Sequence, residues 1–341
     1  MATLPLRLSP TPQLPMYDFI TIGSATRDVF VRSRSLEILH CDNSPTGEDA
    51  CFPLGAKIEI DELVFETGGG ATNTAATFGR LGRRAAALTA VGGDANGRDV
   101  LEALRANGVS TALVQKEPQE QTAYSIITLA GTGERTILVY RGASEKIRAD
   151  RIPWPKLRAK WFYITSLGGE IALLEELLGY ANKNGIRVAW NPGAKELKYG
   201  LNDLAVMIRQ VDIFNLNVEE AMQLTGARSR NLAELRGALR RLPRRAFVIT
   251  DGGNGAYADD GCQGWHSGVP PTKRINSTGA GDAFGSGLVA GLDRWDDLPK
   301  AMAVGTLNAA GVVQHMGAKK GLFRRLPTAQ EIKKIPVRPW K

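Results

Sequence analysis

Cysteine and histidine are scarce, with three of each in 341 residues. Cys41, Cys51 and Cys262 are too few to form a closed set of disulfides, and no Cys-x-x-Cys pair or His-rich spacing marks a metal site. A structural zinc usually takes four ligands, and His40, Cys41 and Cys51 would supply three at most. A reducing, cytoplasmic setting is expected. Long apolar runs are also missing. A spanning helix needs about 20 consecutive apolar residues, and the longest runs here are of the order of residues 85–91, so no membrane association is expected. The first sixteen residues hold several prolines and no apolar signal core, and read as a flexible leader. With 43% apolar and 23% charged residues, the sequence has the composition of a globular chain with a full core. Disordered, collagenous and coiled-coil architectures are excluded.

The balance of charge is +8, from 43 Lys+Arg against 35 Asp+Glu. Arg228, Arg230, Arg236, Arg240, Arg241, Arg244 and Arg245 fall within one short stretch. The same stretch spaces Leu232, Leu235 and Leu239 as one helix face, so it reads as an amphipathic helix with a solvated basic side. Aromatics are not interleaved with the arginines, and nucleic acid is not an expected partner. A positive field also draws in anions such as a nucleoside triphosphate.

Short β-branched or aromatic runs at 17–23, 85–91, 161–165, 187–190, 212–215 and 246–250 alternate with helical patterns. This is the rhythm of βα units around a mainly parallel, doubly wound sheet flanked by helices, an α/β fold. Residues 57–65 alternate at period 2, and 124–129 with 136–140 frame a hairpin about Gly131 and Gly133. With residues 29–32 these predict a small antiparallel sheet standing off the main one as a lid, its strands drawn from about 27–33, 56–66 and 122–141. Residues 34–55 read as an insertion loop and 327–341 as a C-terminal tail, leaving 17–326 as a single domain.

Two local patterns carry chemistry. The first is Asn276-Ser277-Thr278-Gly279-Ala280-Gly281-Asp282-Ala283, directly before an apolar helical run. The N–H groups of Gly279, Ala280, Gly281 and Asp282 at a helix N-terminus would form an anion cradle. A carboxylate there repels a phosphate unless it takes a proton from an attacking hydroxyl, which makes Asp282 a candidate general base. Two alternatives stand beside this: Asp282 as a simple helix cap, and Gly279-x-Gly281 as part of a dinucleotide fingerprint, though it lies far from the first βα unit where such a fingerprint belongs. No P-loop pattern and no His-Arg-Asp or Asp-Phe-Gly occurs. The second pattern is Thr67-Gly68-Gly69-Gly70-Ala71-Thr72-Asn73, in which Asn73 offers donor and acceptor to a polyhydroxy ligand. It could equally be a tight strand-to-helix turn.

Both patterns, in this order and about 200 residues apart, resemble those of the ribokinase-like, or PfkB, carbohydrate and nucleoside kinases, over roughly residues 17 to 326. The resemblance implies a ribokinase-like fold with a lid, ATP and Mg²⁺ as co-substrate and metal, and a small-molecule acceptor. The acceptor would be a sugar, a sugar derivative or a nucleoside, phosphorylated on a hydroxyl. It implies that Asp28, Gly68, Gly69 and Asn73 bind the acceptor. For Asp28 the plainer alternative is a turn cap. Asn217-Val218-Glu219-Glu220 matches the family's Asn-x-x-Glu, which implies that Asn217 and Glu220 organise magnesium and phosphate, largely through water. Thr250, Gly252 and Gly255 are implied at the nucleotide turn, and Asn308 in the segment lining the adenine. Asp282 becomes the base and the Gly279–Asp282 amides the anion hole. Many relatives pair through the lid, so a homodimer is expected; a binding protein that keeps the fold without turnover is the other class. Two departures stand out. Asn276 replaces an Asp of a region that holds a monovalent cation in several members, which weakens that cofactor here, and Thr165-Ser166-Leu167-Gly168-Gly169 replaces the stretch where ribokinases proper place a Glu.

Overall fold

A computed structural model describes residues 16–34, 37–43, 47–129 and 135–340. Residues 1–15 of the expected leader and the hairpin turn at 131–133 lie outside the described residues. The chain opens with β1 (Tyr17–Ile22), β2 (Thr26–Arg32), β3 (Glu37–His40), β4 (Glu48–Cys51), β5 (Glu62–Gly68) and α1 (Gly70–Arg80). There follow β6 (Ala85–Leu88), β7 (Ala90–Gly92), α2 (Ala95–Ala106), β8 (Val109–Ser110), β9 (Gln115–Glu117), β10 (Ala123–Leu129) and β11 (Arg135–Tyr140). Strand–helix alternation then takes over with β12 (Ala159–Ile164), α3 (Ile171–Lys183), β13 (Arg187–Trp190), α4 (Ala194–Leu197), α5 (Gly200–Ile208), β14 (Ile213–Asn217), α6 (Val218–Thr225), α7 (Leu232–Leu239) and β15 (Ala246–Thr250). The chain closes with β16 (Ala256–Asp259), β17 (Gly264–Ser267), α8 (Ala280–Trp295), α9 (Leu298–Val312), α10 (Ala329–Lys333) and β18 (Val337–Trp340).

The main sheet runs β18-β17-β16-β15-β14-β13-β12-β1-β6-β8. It is parallel from β8 to β15 and antiparallel beyond. Strand β1 is buried at every residue because both faces of a parallel sheet are covered by its crossover helices. Ile20 and Ile22 point into a core shared with α3, α6 and α7, while Phe19 joins a second core with α1, α2, α8 and α9. There its ring stacks on Phe78 at 3.9 Å between centroids. The predicted strand at 85–91 divides: β6 stays in the main sheet and β7 pairs with β9 in a separate ribbon.

The lid is a second sheet of order β11-β10-β2-β5, two antiparallel pairs joined by a parallel pairing of β2 with β10. Strand β5 starts at Glu62 rather than near 56, because β2 ends at Arg32; Asp61 N–H reaches the Arg32 carbonyl just past the ladder. The expected loop at 34–55 contains the hairpin β3–β4. Its two four-residue strands have no apolar alternation to announce them. The expected tail carries α10 and the edge strand β18, whose Trp340 packs against Phe247 and Tyr257. The basic stretch is largely spent on ion pairs: Arg230 with Glu219 and Asp251, Arg236 and Arg240 with the buried Asp259, and Arg245 with Asp296. No helix among the described residues is long and apolar enough to cross a membrane.

Candidate active site

Strand β5 runs into α1 through Gly68, Gly69 and Gly70, and the glycines are there because the Asp28 side chain, the Ser24–Ala25 backbone and the Thr165 side chain lie against them in turn. Gly69 has φ 91°, and a Cβ on it would stand 2.5 Å from the Ser24 carbonyl oxygen. A Cβ on Gly68 would stand 1.9 Å from Asp28 Oδ2. Asp28 is a buried residue within β2, opposite Glu66 of β5, and accepts a hydrogen bond from Thr26 Oγ1 at 2.8 Å. It is therefore a mid-strand carboxylate and not a turn cap. Asn73, in the first turn of α1, is buried beside it.

The second glycine stretch opens α8. Gly279 is the N-cap, left-handed at φ 76°, and a Cβ there would meet that of Ala318 at 2.3 Å. No side chain caps this helix, which removes the cap reading of Asp282. Its carboxylate turns instead to α1, where Asn73 Nδ2 donates to Asp282 Oδ2 at 2.9 Å. The two motifs, 209 residues apart in the chain, meet in this bond. Burial pushes the Asp282 carboxyl up to about 6, against the Asn73 hydrogen bond and the charge of Lys319, which lower it, while Asp28 adds to the rise. A group with that value is ionised at neutral pH yet basic enough to take a proton.

On the other side of the α8 N-terminus lies a cleft of about 230 Å³. Thr250, Gly252 and Gly255 line it, with Ala280 and Gly281 at its end. The helix α9 contributes Thr306, Ala309 and Ala310, followed by Val313 just past its end, a stripe at helical spacing. Asn308 is off that stripe and fully buried: its Nδ2 donates to the Ala283 carbonyl at 2.8 Å and its Oδ1 accepts from Phe323 N–H at 3.0 Å. It locks α9 to α8 and does not reach the cleft, contrary to the sequence expectation. Ala280 N–H is turned to the Ser277 carbonyl at 3.2 Å, so within the cradle the first-turn amides of Gly281 and Asp282 are those with no carbonyl one turn back inside the helix.

A family model described as pfkB family carbohydrate kinase matches residues 45–323. The chain belongs to the PfkB family. Aminoimidazole riboside kinase of Salmonella typhimurium is 28% identical over 280 residues, covering 78% of this chain and 86% of that one. Ribokinase of Haemophilus influenzae is 26% identical over 269 residues, covering 77% and 85%. A crystal structure of a putative ribokinase II from E. coli in complex with ATP and Mg²⁺ shares the fold, with a TM-score of 0.73, 18% identity, and 94% and 98% of the two chains covered. The protein is accordingly a PfkB kinase, a phosphotransferase with a hydroxyl acceptor on a sugar or nucleoside.

In this PfkB kinase the Asn-x-x-Glu motif forms a capping box for α6. Asn217 Oδ1 accepts from Glu220 N–H and Glu220 Oε2 accepts from Asn217 N–H, both at 2.8 Å. Neither residue lines the cleft. Burial raises the Glu220 carboxyl, and the charges of Asp282 and Glu219 raise it further. A divalent cation bound through water at Glu220 would relieve that repulsion. Among the described residues no three His, Cys, Asp or Glu side chains cluster as a metal cage. A Mg²⁺ held by one or two carboxylates, water and phosphate oxygens needs none. The monovalent-cation site fits poorly: Asn276 is buried, its Oδ1 is taken by Thr278 N–H at 2.9 Å, and its Nδ2, a donor, has no partner among the described residues.

Three features of the PfkB site escaped the sequence reading. Lys319 is buried against Asn73. Val269, Pro270, Thr272 and Arg274 form a wall of the cleft from an irregular segment without periodicity. Glu196 of α4 takes hydrogen bonds from Ser166 Oγ and from the N–H groups of Leu167 and Gly169, tying down the loop where ribokinases proper place their own Glu.

Proposed function

We propose that the protein transfers the γ-phosphoryl group of ATP to a primary hydroxyl of a sugar, a sugar derivative or a riboside, with Mg²⁺ as the metal. The acceptor lies between the lid and α1, held by Asp28, the Gly68–Gly69 backbone and Asn73. The observation that carries this reading is the Asn73–Asp282 hydrogen bond. It joins Asn73, just past the Gly68–Gly69 turn, to the Asp282 carboxylate in the first turn of α8, where helix amides suit a phosphate. Asp282 accepts the hydroxyl proton as the oxygen attacks the γ-phosphorus and the bond to the ADP oxygen breaks. The Gly281 and Asp282 amides, with Gly279 allowing the turn, stabilise charge on the transferred group. The base and ribose of ATP occupy the cleft lined by Thr250, Gly252, Gly255 and the α9 stripe. Glu220 would hold Mg²⁺ through water, and the ion would neutralise phosphate charge when bound. Residues of β2, β5, β10 and β11 close over the acceptor and exclude water.

The outer face of the lid exposes Leu63 and Phe65 on one side of β2 and the neighbours Ile126 and Leu138 on the other, and supports the reading of a homodimer through this face. Light scattering on the purified protein tests it. The kinase reading is tested by ADP release from ATP and Mg²⁺ across ribose, fructose, other hexoses, sugar acids and nucleosides. Turnover with one class, lost in Asp282→Asn, supports it. Turnover retained in that variant removes Asp282 from the role.

A further inference from the structure

A second buried charge stands beside Asp282. Lys319 lies past α9 and is 5% exposed. Its ammonium donates to the Thr67 carbonyl and to Asn73 Oδ1, the latter at 2.8 Å. Its own carbonyl accepts from Arg80 Nη1 at 2.6 Å, so the residue is held at both ends of α1. An asparagine amide can turn over, and turned over, Asn73 would set its oxygen against the Asp282 carboxylate. An ammonium on the far side of the amide forbids that arrangement, because it accepts nothing. Three acids face this lysine: Asp28 from β2, Glu66 from β5 and Asp282 from α8; Arg80 of α1 is the opposing cation. Glu66 has a second partner in Lys320 at 3.1 Å. Asp282 in turn is hydrogen-bonded to Asn73 and lies in the field of Lys319 and Asp28, while its own charge acts on Glu220 and the Tyr163 hydroxyl.

We propose that Lys319 is a positioning residue for phosphoryl transfer: its ammonium orients the Asn73 amide, and the amide holds the Asp282 carboxylate toward the acceptor hydroxyl. The proposal rests on Asp282 being the base. Burial brings Lys319 down to about 8, so the ammonium is the main form at neutral pH. Its charge lowers the Asp282 carboxyl, and removing it sends that carboxyl upward.

The test compares Lys319→Met, Lys319→Gln and Lys319→Arg with wild type, each checked by thermal melting. The Asp282 carboxyl is titrated by carbon NMR in aspartate-labelled protein, with Asp282→Asn identifying its signal; no acceptor is needed. Expected is an upward move of about one pH unit in the Met and Gln variants, and a value near wild type in the Arg variant. With the acceptor giving most ADP in the panel above, kcat of Lys319→Met falls at least tenfold while KM for ATP holds, and the loss is larger at pH 6 than at pH 8. Lys319→Gln keeps a donor for Asn73 and covers the case in which the Met variant does not fold. An unmoved titration and unchanged kcat in a folded Met or Gln variant overturn the proposal. Full turnover in Asp282→Asn instead overturns the base assignment, whatever the lysine variants do.

Discussion

Replacing Asp282 by Asn separates what the carboxylate does for chemistry from what it costs the fold. Burial raises this group from 3.8 to about 6, so the native protein binds its proton more tightly than the unfolded chain does. Below 3.8 both states hold the proton. Between 3.8 and 6 folding takes one up, and above 6 the native state bears the full penalty of a buried charge. That displacement corresponds to about 3 kcal/mol, and with the partial exposure of the site about 2 kcal/mol is the figure to expect. An asparagine carries no charge, so Asp282→Asn is more stable than wild type at pH 8. For a chain of this length the gain corresponds to roughly 3 °C in Tm. It shrinks as pH falls through 6 and vanishes near 4. At pH 8 kcat of the variant is lower by about 10²–10⁴-fold, the usual worth of a positioned base. Thermal melts at several pH values, with ADP release at pH 8, measure both. A variant that is inactive but no more stable at pH 8 than wild type would refute the account of Asp282 as a charge held against its solvation.

Gly68→Ala places a methyl where Asp28 Oδ2 now lies; KM for the acceptor is expected to rise at least tenfold with KM for ATP unchanged, and steady-state kinetics on both substrates check it. A Cβ on Gly281 meets nothing within 4 Å among the described residues, so in Gly281→Val Tm should hold while calorimetry shows ATP binding weakened as the side chain enters the cleft; undiminished affinity would move the triphosphate elsewhere. Asn308→Ala strips the Ala283 carbonyl and Phe323 N–H of their buried partner; a loss of about 2–3 kcal/mol in denaturant unfolding is expected, with ATP affinity in the remaining folded protein unchanged.

Much of the site was legible because its signals are local. Runs of glycine before an apolar helix mark close backbone approach, and Gly68, Gly69 and Gly279 are each pressed against Asp28, Ser24 or Ala318. Asn308 misled because membership of a segment says nothing about helix phase. The stripe Thr306, Ala309, Ala310 and Val313 carried the information, at spacings that place Asn308 on the other face. Lys319 gave no signal at all, since a Lys-Lys pair in a polar stretch reads as solvated surface. It is buried only because that stretch crosses Asn73 and Thr67. The β3–β4 hairpin was invisible for a related reason: its four-residue strands set Ile38 beside Leu39 and Ala50 beside Cys51, and so have no period of two to detect.

The sequence by itself determined the α/β architecture, the parallel strands β1, β6, β12, β13, β14 and β15 at its centre, and the glycine turns where the chain packs closely on itself. Hydrophobic period and backbone freedom are properties of neighbouring residues, and neighbours are what a sequence displays. Only the tertiary structure decided that Asp282 faces Asn73 and is not a helix cap, that Lys319 backs the Asn73 amide, and that Asn308 turns away from the cleft. Each of those outcomes depends on how two distant elements are rotated against each other, and packing of the whole core sets that rotation.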